Sequence, residues 1–228
     1  MDRRSTTLIL AAMFIGLSST LALADQFTRV GPSVTLEQLL ADGASIRAGD
    51  KCFTNFAYTP AGTVAGPRAA DITVEPILLN GQLGLHFVGG FTAFGPQVLA
   101  AALSYQVSAD EPNRIVGTTL WAPAAGATGP GRFNMVENVF GAVPGQAIAE
   151  PMMIFANSSG SGLLATASFE MTTSVAFLFK NITLDGGGSG AAVLSEFFQT
   201  FEQVPEPASL ALLATGGVAL LGRRRQGR

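Results

Sequence analysis

His86 is the only histidine and Cys52 the only cysteine in 228 residues, so side-chain catalysis would have to run through very few positions. A Ser-His-Asp site would need His86 with a carboxylate such as Asp110 and a hydroxyl such as Ser189. Nothing in the spacing selects those three, and no G-x-S-x-G elbow presents a serine. His86 falls between Leu85 and Phe87, on the opposite face of an expected strand. A solvent-facing or hydrogen-bonded structural role is the simpler reading there. Zinc needs three or four nitrogen, sulfur or carboxylate ligands, and one His and one Cys far apart cannot begin such a set. Calcium needs only oxygens, which Asp110 with Glu111, or Asp185 beside residues 186–190, could help supply. No D-x-[DN]-x-[DN]-G loop is present, and acidic turn residues explain these positions. Gly186, Gly188 and Ala191 fit G-x-G-x-x-A in name only, since a dinucleotide site also needs a following helix in a βαβ unit. Glu137, Glu150 and Glu170 are the scattered carboxylates from which a glycosidase pair would be drawn, a question of distances. Asn157-Ser158-Ser159 and Asn181-Ile182-Thr183 match glycosylation triplets and are read as chance. Trp121, the lone tryptophan, stands beside a proline loop, where an indole can stack on a sugar ring or simply pack. The expectation is therefore no catalytic residue, no cofactor and no metal.

The clearer chemistry is peptide-bond cleavage at the two ends. Arg3 and Arg4 precede the apolar run from Leu8 to Leu17, and Ala22-Leu23-Ala24 supplies a small-residue site. That is the layout of a secretory signal peptide, with signal peptidase cutting after Ala24 and leaving Asp25 first. At the other end, Pro205-Glu206-Pro207 precedes an apolar stretch from Ala208 to Gly222 and the cluster Arg223-Arg224-Arg225. About fifteen helical residues reach roughly 22 Å, short of a bilayer core of roughly 30 Å. Gly216 and Gly217 weaken the helix further. Such a segment can insert transiently in the inner membrane, with its arginines kept on the cytoplasmic side. The prolines hold the preceding stretch extended and apart from the domain, a good protease substrate.

Val204-Pro205-Glu206-Pro207-Ala208-Ser209, the apolar stretch and the arginine cluster resemble a PEP-CTERM sorting signal. The resemblance covers residues 204–228. It implies export by Gram-negative bacteria that make extracellular polysaccharide, and cutting near Pro205, Glu206 and Pro207 by an exosortase-type membrane peptidase. The body is loosely similar to exported domains found upstream of this tag. The likeness is carried by Gly49-Asp50-Lys51 leading to Phe53 and Phe56, by Lys180-Asn181-Ile182, and by Leu194-Ser195 with Gln199-Thr200-Phe201. It implies a β-sandwich and carries over no functional residue.

The chain divides into residues 1–24, a body of 25–203, and 204–228. The ends hold six of the 13 basic residues but two of the 16 acidic ones, leaving the body near −7. That charge repels phosphate backbones and anionic lipid, so no nucleic-acid partner is expected. Cys52 has no intramolecular partner, and a buried inert thiol in a strand is expected.

Elements must position whatever site exists. The 27 Gly and 12 Pro punctuate short apolar runs, the pattern of an antiparallel β architecture. Thr35 to Leu40 reads as a short helix, with Thr35 and Gln38 forming a capping box. Strands are expected at Ser45–Arg47, Cys52–Tyr58, Ile72–Leu79 and, after the Asn80-Gly81 hairpin turn, through Leu83, Leu85 and Phe87. Others follow at Val98–Val107, Ile115–Trp121, Phe133–Phe140, Met152–Ala156, Leu163–Phe169, Val175–Leu184 and Val193–Phe201. Adjacent Phe197 and Phe198 indicate that the last of these is covered on both faces. Residues 123–131 read as a mobile small-residue loop. The fold expected is mainly β, a single β-sandwich or jelly-roll-like domain with one short helix near its start and hydrophobic helices at both chain ends. The function expected is an exported, non-enzymatic structural or adhesive protein, with binding of extracellular polysaccharide as the alternative.

Overall fold

The computed structural model describes residues 27–143 and 145–205. The two terminal helices, the cleavage residues Ala22 and Ala24, and Glu206, Pro207, Arg223, Arg224 and Arg225 lie outside the described residues. Among the described residues, no helix is long and apolar enough to cross a membrane.

Period-two alternation produces two antiparallel sheets. The strands are β1 (Phe27–Arg29), β2 (Val34–Thr35), β3 (Ser45–Ala48), β4 (Lys51–Gly62), β5 (Thr73–Leu79), β6 (Gln82–Phe94), β7 (Val98–Ala109) and β8 (Asn113–Trp121). They continue as β9 (Ala125–Thr128), β10 (Arg132–Phe140), β11 (Met152–Asn157), β12 (Gly160–Gly162), β13 (Leu164–Thr173), β14 (Val175–Asp185) and β15 (Ala191–Pro205). The first sheet runs β1-β5-β6-β15-β8-β13, with β2 beside β5 and β9 beside β15. The second runs β12-β11-β10-β14-β7-β4-β3. Their facing sides share one apolar core. In β7 the inward set Leu99, Ala101, Leu103, Tyr105 and Val107 is buried, as alternation requires.

The single α-helix among the described residues, α1 (Leu36–Leu39), starts at a capping box. The Gln38 N–H donates to Thr35 Oγ1 at 3.3 Å, and the Thr35 N–H to Gln38 Oε1 at 2.9 Å. Leu36 and Leu39 tie it to the core. The β5–β6 turn is Asn80-Gly81, both at positive φ (52° and 80°), which this dipeptide tolerates.

Three details differ from expectation. Residues 125–128 are not a loop but β9, paired with Ala191–Leu194 of β15. Their small side chains let the backbones approach, and the ladder's hydrogen bonds replace bulk as the stabilising term. The sorting segment is not set wholly apart, because β15 runs through Val204 and Pro205, opposite Arg114 and Asn113 of β8. By then β15 has passed its last pairing with β6, at Phe201. One side of the strand is open there, and proline's missing N–H costs no ladder bond. Cys52 lies in β4 but is half-buried rather than buried. On β14 the alternation holds, yet Phe177 and Phe179 face outward, each 39% exposed, while Ala176, Leu178, Lys180, Ile182 and Leu184 point inward.

Phe197 is 1% exposed and stacks on Phe87 at 4.7 Å. Phe197→Ala is expected to cost about 3–5 kcal/mol in denaturant unfolding, whereas Phe177→Ser costs about 1 kcal/mol or less. Equal losses would contradict the inward and outward assignment.

Candidate functional site

Register on the first sheet aligns one residue from each of five strands. Leu164 of β13 pairs with Trp121 of β8, Trp121 with Phe198 of β15, Phe198 with His86 of β6, and His86 with Glu75 of β5. Directly paired residues point to the same face, so these side chains form a row across the sheet's outer side. Phe198 and His86 stack in parallel at 4.1 Å. The Trp121 ring lies 5.2 Å from Phe198, tilted by 32°. Phe27 of β1 closes edge-on against both His86 and Phe198, at 5.0 and 5.2 Å. With Ile77 and Leu79 this makes a second, smaller core outside the sandwich.

Beside the row an open groove of about 410 Å³ is lined by Leu79, Asn80, Gln82, Thr119, Trp121, Leu164, Thr166 and Thr200. Trp121 is half-buried, so part of its ring stays available. Thr166, Thr119 and Thr200 are themselves in register and give the groove a hydroxyl-bearing floor. The Thr200 hydroxyl donates to Gln82 Oε1 at 2.8 Å and so orients that amide. Gly84 of β6 sits opposite Thr200. A Cβ there would stand 1.9 Å from the Gln199 carbonyl oxygen, so only glycine allows this approach of β6 to β15. An apolar ring beside several convergent hydroxyl and amide groups is the usual chemistry of a saccharide or small polar ligand site.

His86 anchors the buried end of the row. Its Nδ1 lies 3.0 Å from Glu75 Oε2 and its Nε2 2.9 Å from Glu196 Oε2. Glu75 Oε1 also meets Arg29 Nη2 at 2.6 Å. The ring is thus held by a carboxylate at each nitrogen. The histidine is 3% exposed and hydrogen-bonded rather than solvent-facing. It is not brought to a serine. Asp110 pairs with Arg47, and Ser189 is exposed in the glycine loop.

The remaining candidates separate. Glu150 and Glu170 share an open groove of about 460 Å³ with Met152, Met153 and β13, while Glu137 is fully buried elsewhere. Asp185 Oδ1 accepts the Gly187 N–H at 2.7 Å, an ordinary turn role. Among the described residues no group of three or more His, Cys, Asp or Glu is placed to hold a metal.

A buried polar set in the main core was not foreseen. Lys180 of β14 and Glu137 of β10 stand directly opposite each other, form an ion pair, and have side chains at 0% exposure. Burial raises the Glu137 carboxyl against the pull of Lys180, and lowers the Lys180 ammonium against the pull of Glu137. The signal was in the alternation. Lys180 falls between Leu178 and Ile182, and Glu137 between Met135 and Val139, both on inward-facing positions. A second buried lysine, Lys51, joins the sheets. Its ammonium donates to Asp50 Oδ1 at 2.9 Å and to Gln203 of β15.

The PEP-CTERM protein-sorting motif matches residues 203–226. The chain therefore carries this sorting motif, the mark of an exported protein, and its first three residues are the end of β15. No curated protein matches the chain. Solved structures with some likeness include the enzymatically active domain of tailspike protein 4 of bacteriophage CBA120, 14% identical with a TM-score of 0.29. The match covers 65% of this chain and 19% of that one, so it spans about a fifth of the tailspike domain. TmCBM61 in complex with beta-1,4-galactotriose is 10% identical, TM-score 0.30, over 64% of this chain and 88% of that chain. TmCBM27, described for mannan recognition, is 10% identical, TM-score 0.25, over 77% and 98%. Likeness at this level bears on neither ligand nor activity. The functional reading rests on this chain's own residues.

Tyr58 donates to the Pro67 carbonyl at 2.9 Å, and burial pushes its hydroxyl up to about 12 from an ordinary 10.0. The unfolded chain ionises this group first, so its contribution to stability is complete below pH 10 and is lost as pH climbs toward about 12. Melting temperature is expected to fall across that window, less steeply in Tyr58→Phe. Identical profiles for the two proteins would contradict the assignment.

Proposed function

We propose that this is a non-enzymatic exported protein of the cell envelope or extracellular matrix whose β-sandwich binds extracellular polysaccharide in the Trp121 groove. Signal peptidase frees Asp25. The segment after β15 is held briefly in the inner membrane, and an exosortase-type peptidase cuts near Pro205, Glu206 and Pro207. The single observation that carries the binding role is Trp121, half-buried on Phe198 and facing Thr119, Thr166, Thr200, Asn80 and Gln82 across an open groove. A sugar presents an apolar ring face and a polar edge. The indole takes the first and the hydroxyls and amides the second. The groove is built on five adjacent β-strands, β5 to β13 in sheet order, so its parts are set before ligand arrives. The acidic body disfavours polyanions, which points to a neutral glycan.

A purely structural role is the competing reading, favoured by Phe177 and Phe179 on the opposite outer face beside a groove of about 450 Å³. Retention of the processed protein on polysaccharide purified from its own cell decides between them. Wild type is expected to be retained, and Trp121→Ala to bind about tenfold or more weakly, the equivalent of about 1.4 kcal/mol, both measured below their melting temperatures, the variant's being lower because the indole packs on Phe198. No retention of wild type, or equal retention of the variant, would overturn the binding role.

A further inference from the structure

We propose that Lys180 and Glu137 become covalently joined, the lysine Nζ forming an amide with the Glu137 Cδ and so cross-linking β14 to β10. This goes beyond the sugar-binding reading and does not depend on it. The two side chains project into the core from directly opposed positions in a nine-residue antiparallel register, residues 132–140 against 177–185. Lys180 Nζ donates to Glu137 Oε2, and neither side chain touches solvent. Among the described residues, Tyr105 and Gln199 are the other polar neighbours of the pair. The Tyr105 ring lies 5.0 Å from the ammonium and the Tyr105 hydroxyl 3.5 Å from it. On the carboxylate side the Gln199 amide lies against Glu137 and favours its charged form. Even with those contacts, a charge pair with both side chains at 0% exposure carries a desolvation cost.

Burial favours the neutral form of each group, and transfer of one proton along the Lys180–Glu137 hydrogen bond turns the ion pair into an amine facing a carboxylic acid. Those are the forms that condense. The nitrogen lone pair attacks Cδ, making the N–C bond. One carboxyl C–O bond breaks, and the departing hydroxyl leaves as water with one of the two amine protons. Tyr105, held protonated by burial with its hydroxyl 3.5 Å from Nζ, passes that proton across. No oxidant, reductant or activating group is required. Fixed geometry supplies the proximity that free acid and amine lack, and the dry core shields the product from hydrolysis. The link closes a long loop, from 137 to 180, and such closure restricts the unfolded chain as a disulfide does. It gives an exported domain whose only cysteine is Cys52 a covalent brace independent of redox conditions.

The test is peptide mapping of the purified full chain by mass spectrometry after denaturation and digestion. The expected result is a branched peptide joining the Glu137 and Lys180 segments, lighter by one water than the two linear peptides together, with no tryptic cleavage after Lys180. Tyr105→Phe is expected to accumulate it more slowly, and an equal rate would remove the relay role. Recovery of the folded wild-type chain with both segments as separate unmodified peptides would overturn the cross-link. The wild-type measurement decides even if a Lys180→Met variant fails to fold. A loss of sugar retention would leave this result untouched.

Discussion

Burial of β15 on both faces is the constraint from which the rest follows. Residues 197, 199 and 201 point into the main core, and 198 and 200 to the outer side, yet all five are at most 2% exposed. The strand pairs with β6 along one edge and with β8 along the other, so it holds the two halves of the first sheet together. Apolar area on both sides of one strand contributes twice to the hydrophobic term. Its inner face fixes the sandwich. Its outer face supplies Phe198, on which His86, Phe27 and Trp121 assemble. The Trp121 groove is thus a by-product of how this strand is covered.

The same strand leads into the sorting motif. Gln203 is tied to Lys51 of the other sheet, and Val204 and Pro205 are still paired with β8. Any pull on the tethered segment is therefore borne by the central ladder and by a bond between sheets, rather than by a slack linker. The fold and the tag meet without a spacer among the described residues.

Most of the architecture was legible in the sequence because period-two burial is a local signal. β7 shows it along its whole length, and the capping box at Thr35 and Gln38 needed four residues to declare itself. The pair Phe197 and Phe198 announced a doubly covered strand correctly. What escaped depended on partners distant in sequence. β9 has too little side-chain bulk to register as a strand, and exists because Ala191–Leu194 offers a ladder. His86 could be read as structural, but not as held between two carboxylates, since Glu75 and Glu196 come from flanking strands. Lys180 and Glu137 each sat on a core-facing position of an apolar alternation, a conflict that only a matched partner resolves. The Trp121 groove was visible as one aromatic beside a loop. Its hydroxyl floor required the register of three strands.

Because Trp121 is the chain's single tryptophan, its emission reports on the groove alone. Titrating the processed protein with polysaccharide from its own cell, while recording tryptophan fluorescence, tests saccharide seating on the indole most directly. Seating there gives a saturable shift in intensity and wavelength with the same midpoint as binding measured by calorimetry. Binding that leaves the emission unchanged, or no binding at all, contradicts it.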